Sequence, residues 1–213
     1  MAELSPVRAE RHRLADTLLS LGPDAPTLCE GWRTADLAAH LWVRERNPLA
    51  GAGMLFGPLA GYTARAMSNA LARYGYEELV RRFKPAPPPG IFRLLEDRVN
   101  LLEYVVHHED ARRGDGKPAP RDRDELGGLD RLVFQALPRF GRILARPLRG
   151  IRVTFRWPGE REATMGGGER SLVVEGEPIE LALWLYGRGR AASVEFSGDE
   201  EAIRLAKEAR LGI

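Results

Sequence analysis

Two histidines and three acids stand close together in "LLEYVVHHED", residues 101–110, within an otherwise apolar run. The chain has four histidines in all, so half of them lie in this one stretch. Glu103 and His107 are four residues apart. On a helix that spacing projects two side chains side by side, where they can hold one ion jointly. A carboxylate oxygen paired with an imidazole nitrogen suits zinc, and also nickel or iron. His108 lies about 100° further round the helix and points away from such an ion. Asp110, one turn beyond His107, is placed to orient the imidazole through its other nitrogen. The plainer alternative is a solvated ion pair on the edge of a packed helix.

A third ligand is needed before the pair becomes a site. "DLAAHL" supplies one: His40 falls on the same helical face as Leu37 and Leu41, the inward one. Asp36, one turn earlier, is expected to fix its tautomer. Three protein ligands leave a coordination position open, which marks a catalytic or ligand-accepting centre rather than a structural one. The single cysteine, Cys29, excludes an internal disulfide and fits a reducing compartment. It lies in the loop before the His40 helix, where a buried, inert thiol is expected rather than a built-in ligand.

The elements that must position these residues are mostly helical. Residues 6–21 form an amphipathic segment with Ser5 as cap and Pro6 in the first turn. "TADLAAHLWVRERNP" starts at a Thr34 cap and stops at Asn47-Pro48. "LAGAGMLFGPLAG" reads as a buried connector or a pocket lid. Residues 62–83 are helical with a break at Gly75, residues 91–113 form the longest clean helix, and residues 122–146 form another, bent near Pro138. Helices with short links imply an antiparallel bundle. The pattern changes near residue 150. "IRVTFRW" alternates as a half-buried strand does. "REAT", a "GGG" turn and "SLVVEG" extend a small antiparallel sheet, "PIELALWLYG" is a helix and "AASVEF" a strand. A final helix starts at "SGDE", where Ser197 and Glu200 have capping-box spacing. The predicted architecture is a helical bundle over residues 1–148 followed by a small α+β domain over 149–213.

Composition narrows the function classes. With 44% apolar residues the chain can bury a core. No run is long and apolar enough for a transmembrane helix, and the charged N-terminus lacks a signal peptide, so a cytoplasmic protein is expected. Formal net charge is +2, and lysine occurs only at Lys84, Lys117 and Lys207. The arginines alternate with nearly as many acids and form no basic stripe, which argues against nucleic acid as partner.

"LCEGWRTADLAAHLWVRER" resembles the Gly-Trp-x-x-x-Asp-Leu-x-x-His-Leu signature of the mycothiol-dependent maleylpyruvate isomerase-like family, related to DinB-like four-helix proteins. "EYVVHHEDARR" resembles the second metal-binding helix of that family, in a form closer to a metal-binding subgroup than to the isomerase itself. The resemblance implies a DinB-like antiparallel four-helix bundle followed by a sterol-carrier-like domain. It also implies a divalent metal, usually Zn2+, held by His40, Glu103 and His107, with mycothiol or a similar low-molecular-weight thiol as partner. An arginine near the end of "WLYGRGR", Arg188, would bind an anionic, electrophilic substrate. The expected activity is that of a thiol-dependent transferase or isomerase, monomeric or homodimeric. The alternatives are a hydrolase using metal-bound water and a non-catalytic protein that binds a metal or a small ligand.

Overall fold

The computed structural model describes residues 4–47, 49, 60–85, 87 and 100–212. They fall into two compact units, Met1–Asp115 and Gly116–Ile213. Among the described residues there are eight α-helices and one four-stranded sheet.

The first unit is helical: α1 (Pro6–Leu21), α2 (Thr34–Arg46), α3 (Ala60–Tyr74), α4 (Tyr76–Phe83) and α5 (Leu101–Arg112). The Ser5 hydroxyl accepts from Arg8 N and Pro6 opens α1, as its sequence predicts. Gly75, at φ 69°, breaks α3 from α4 in a conformation that side chains with a Cβ rarely adopt. Helix α2 begins differently from expectation. Thr34 is its first helical residue, its hydroxyl bonds to Gly22 O, and Asp36 reaches back to the amide of Arg33. The expected helix over 91–113 is described from Leu101 onward; its earlier part lies outside the described residues, as does most of "LAGAGMLFGPLAG".

A buried polar hub ties four of these helices together. Arg11 of α1 and Glu45 of α2 make two parallel bonds of 2.7 and 2.8 Å, the bidentate form in which arginine recognises carboxylate best. Arg11 Nε also donates to Phe83 O, at the end of α4, at 2.8 Å. Its guanidinium lies 4.0 Å from the centre of the Phe83 ring. Tyr104 of α5 donates to Glu45 at 2.8 Å. Arg11 is fully buried and Glu45 nearly so, so each charge depends on these partners in place of water.

The second unit contains α6 (Leu129–Leu144), β1 (Ile151–Trp157), β2 (Arg161–Gly166), β3 (Arg170–Glu175), α7 (Pro178–Leu185), β4 (Glu195–Gly198) and α8 (Glu200–Glu208). Ile151, Val153, Phe155 and Trp157 of β1 are all buried, as their alternation predicts. Three features differ from expectation. Helix α6, with Pro138 inside it, packs on α7 and β2, so the chain divides near residue 115 rather than 148. The sheet, in the order β2-β1-β3-β4, is mixed, because β3 runs parallel to β1. The "GGG" segment is therefore not a hairpin turn but a crossing past the start of β1. A Cβ at Gly168 would collide with Gly150 O, and one at Gly166 would stand 2.6 Å from Ile151 O. Finally, Ser197 belongs to β4, and Asp199 takes the cap position of α8, where its carboxylate accepts from Ser171.

Candidate metal centre

The first unit brings His40 of α2 together with Glu103 and His107 of α5. His40 Nε2 is 2.9 Å from Glu103 Oε1, and His107 Nε2 is 3.3 Å from the same oxygen. The two imidazole rings meet edge to face with centroids 4.8 Å apart. One ligand atom from each residue lies within 4.8 Å of the others. The spacing on α5 sets the Glu103–His107 pair side by side, and His40 reaches it from the inward face of α2. All three side chains are largely shielded, at 7, 20 and 12% exposure for His40, Glu103 and His107.

Charge is balanced around one carboxylate. Burial alone would raise the pKa of Glu103, but the Arg44 guanidinium and bonds to His107 and His40 overcome it and hold the group well below the usual range. Arg44 Nε lies 3.2 Å from Glu103 Oε1. Sequence reasoning missed Arg44, although its place four residues after His40 was a usable signal. Burial pushes His40 down, only partly offset by its bond to Glu103. His107 shows the reverse: burial would lower it, but bonds to Asp110, Cys29 and Glu103 raise it well above the ordinary histidine value.

The outer contacts are distinct for each ring. His107 Nδ1 meets Asp110 Oδ2 at 2.9 Å, so with a proton held there, an ion that displaces the Nε2 proton would find that lone pair on the side of Glu103 and His40. That is the carboxylate–imidazole arrangement that orients metal-ligating histidines. His40 Nδ1 has no hydrogen-bond partner among the described residues. The expected bond from Asp36 does not form, because that carboxylate is spent on the start of α2. Trp32 packs against the His40 ring at 5.1 Å. His108 turns away, as expected, to Glu10 at 2.6 Å and Thr17 at 2.8 Å. Arg188 lies in the second unit, where it donates to Tyr186 O at 2.6 Å. Cys29 is closer to the centre than its sequence context suggested: its thiol donates to Asp110 Oδ2 at 3.1 Å and lies 4.0 Å from His107 Nδ1. It sits on the ring edge opposite Nε2.

Two imidazole nitrogens and one carboxylate oxygen fit a divalent ion such as zinc, nickel or iron. Asp110→Asn is expected to weaken metal binding about 10–100-fold, the usual cost of losing an orienting partner, when measured by competition with a chelating dye. Loading must also displace the proton of His107. Because that imidazole keeps its proton above the ordinary histidine range, affinity should fall as pH drops, by about tenfold per unit below the raised pKa. Above it the dependence should flatten, which titrations across that range would read directly.

A separate groove of about 630 Å³ is lined by Trp42, Arg46, Tyr62, Arg65, Arg73 and Tyr74. Trp42 is about 200° round α2 from His40, so this groove is not the metal centre.

Comparison with known proteins agrees with the motif reading. Residues 7–97 match the family model described as the mycothiol maleylpyruvate isomerase N-terminal domain. The match contains His40 and ends before Glu103 and His107. No curated protein and no solved structure matches the chain. Over residues 7–97 the chain is thus similar to the mycothiol maleylpyruvate isomerase N-terminal domain family.

Proposed function

We propose that the protein is a divalent-metal-binding, thiol-dependent transferase or isomerase. The observation that carries this reading is the convergence of His40, Glu103 and His107 from two helices. They would hold the ion, zinc being the best chemical fit and nickel or iron the alternatives. When bound, such an ion lowers the pKa of a coordinated thiol and so supplies a thiolate at neutral pH. Glu103 stays ionised because Arg44 lies beside it. Asp110 holds the His107 ring so that Nε2 faces the ion. Trp32 covers one side of the His40 ring and limits water there.

The family match supports a mycothiol-type thiol as the partner. A positioned thiolate would add to an electrophilic substrate and either stay, giving transfer, or leave after rotation about the activated bond, giving isomerisation. On this reading the first unit is a DinB-like four-helix bundle and the second is sterol-carrier-like. Arg188 then holds a substrate anion, and the protein works in the cytoplasm as a monomer or homodimer. Among the described residues, no helix is long and apolar enough to cross a membrane.

The test is the visible spectrum of the cobalt-loaded protein during titration with mycothiol or cysteine. Saturable growth of a thiolate-to-cobalt absorption is expected in Cys29→Ser, where the added thiol is the sole source of sulfur ligand. A cobalt spectrum unmoved by any thiol would overturn the reading.

A further inference from the structure

His107 faces ligand-type atoms on both of its ring nitrogens. Nε2 looks toward Glu103 and His40, whereas Nδ1 looks toward Asp110 Oδ2 at 2.9 Å and Cys29 Sγ at 4.0 Å. Sγ and Oδ2 are themselves 3.1 Å apart. Cys29, His107 and Asp110 thus form a second group whose ligand atoms are mutually close enough for one ion. Its composition differs in kind from the first. A thiolate replaces an imidazole, which favours thiophilic cations over those that prefer nitrogen and oxygen.

The loop that carries Cys29 is fastened rather than loose. Leu28 N donates to Asp110 O at 3.0 Å, which ties the loop to the last turn of α5. The Thr27 hydroxyl accepts from Cys29 N at 3.2 Å and donates to Trp32 O at 2.9 Å. Gly114 lies so close under Pro26 that a Cβ there would collide with Pro26 O. Sγ is therefore held at the Nδ1 edge of His107 by three separate contacts of its loop. Asp110 is fully buried, and Cys29 is half-buried, open enough for an ion to arrive.

We propose that Cys29, His107 Nδ1 and Asp110 form a second cation site, selective for thiophilic ions such as cadmium, that excludes occupancy of the first. The exclusion follows from proton placement. The His40–Glu103 site needs the Nε2 lone pair, with the proton on Nδ1 donated to Asp110. The Cys29 site needs the Nδ1 lone pair, with the proton on Nε2 donated to Glu103. A neutral imidazole has one proton and serves one site at a time. Loading the second site also releases the Cys29 thiol proton to solvent. A thiophilic ion would then silence the first centre by capturing its shared ligand rather than by competing at His40.

The test uses Cd2+ alone, without added thiol, on the whole chain. Cys29 is the single cysteine, so any thiolate-to-cadmium ultraviolet absorption reports on it without ambiguity. Wild type should develop that absorption. With free Cd2+ at ten times its Kd, alkylation of Cys29 by iodoacetamide should slow about tenfold. His40→Ala/Glu103→Gln should keep both effects, and Asp110→Asn should weaken both. A circular-dichroism spectrum like that of wild type checks that each variant is folded, and where one is not, the wild-type measurements alone decide. No absorption together with unchanged alkylation would overturn the site. A wild-type chain that showed the absorption while holding a second, His40-dependent ion would overturn the exclusion. Failure of the thiol titration in Cys29→Ser would count against the proposed function alone, because that variant lacks the second site.

Discussion

His107→Ala is expected to abolish stoichiometric metal binding, and His40→Ala and Glu103→Ala should come close to doing so. The loss in each case should exceed the roughly 10–100-fold that removal of an orienting partner costs, because a bond to the ion is itself removed. His107 should be the most damaging of the three. It is joined to Glu103, to Asp110 and to the Cys29 thiol, so its loss also frees two carboxylates to repel one another. His108→Ala is the matched control. It removes the neighbouring imidazole, whose partners Glu10 and Thr17 lie on α1, and should leave metal content unchanged at some cost in stability. Elemental analysis of purified protein reads all four. Equal metal in wild type and in the His40/Glu103/His107 triple variant would end the assignment.

Glu45→Ala should produce the largest loss of stability, about 3–5 kcal/mol, the range found when one partner of a buried ion pair is removed. Arg11 would keep its charge in a fully buried position and lose the carboxylate that takes two of its five donors. The destabilisation should appear as a shift in denaturant midpoint with little change in slope. An Arg11→Met/Glu45→Leu double variant separates charge from packing. It removes both charges at similar volume and should recover much of the loss. Equal destabilisation in the single and double variants would mean that the hub acts through shape and not through its charges.

Much of the secondary structure was legible because its signals are local. The Ser5-Pro6 start of α1, the Gly75 break and the alternation in β1 each depend on residues within a few positions of one another. The Glu103–His107 pair was equally readable, since both side chains come from one helix turn. What escaped reading lies in contacts made at long range. Arg11 looks like one more charged residue on an amphipathic helix, because its partners Glu45 and Tyr104 are 34 and 93 residues away. Cys29 and Asp110 are separated by 81 positions, so nothing near the cysteine announced a carboxylate beneath it. Helix α6 carries an apolar face that would suit a bundle or a sheet equally, and periodicity does not say which. The parallel pairing of β3 was hidden because glycine-rich segments serve hairpins and crossings alike.

The Arg11 hub gains a wider meaning from where its members sit. Glu45 shares α2 with His40, and Tyr104 is next to Glu103 on α5. The bonds that clamp these two helices thus also set the spacing of the three candidate ligands, with no ion needed to draw them together. Ions should come and go by simple exchange on a scaffold that keeps its shape, and stripping with a chelator should return a folded protein ready to be refilled.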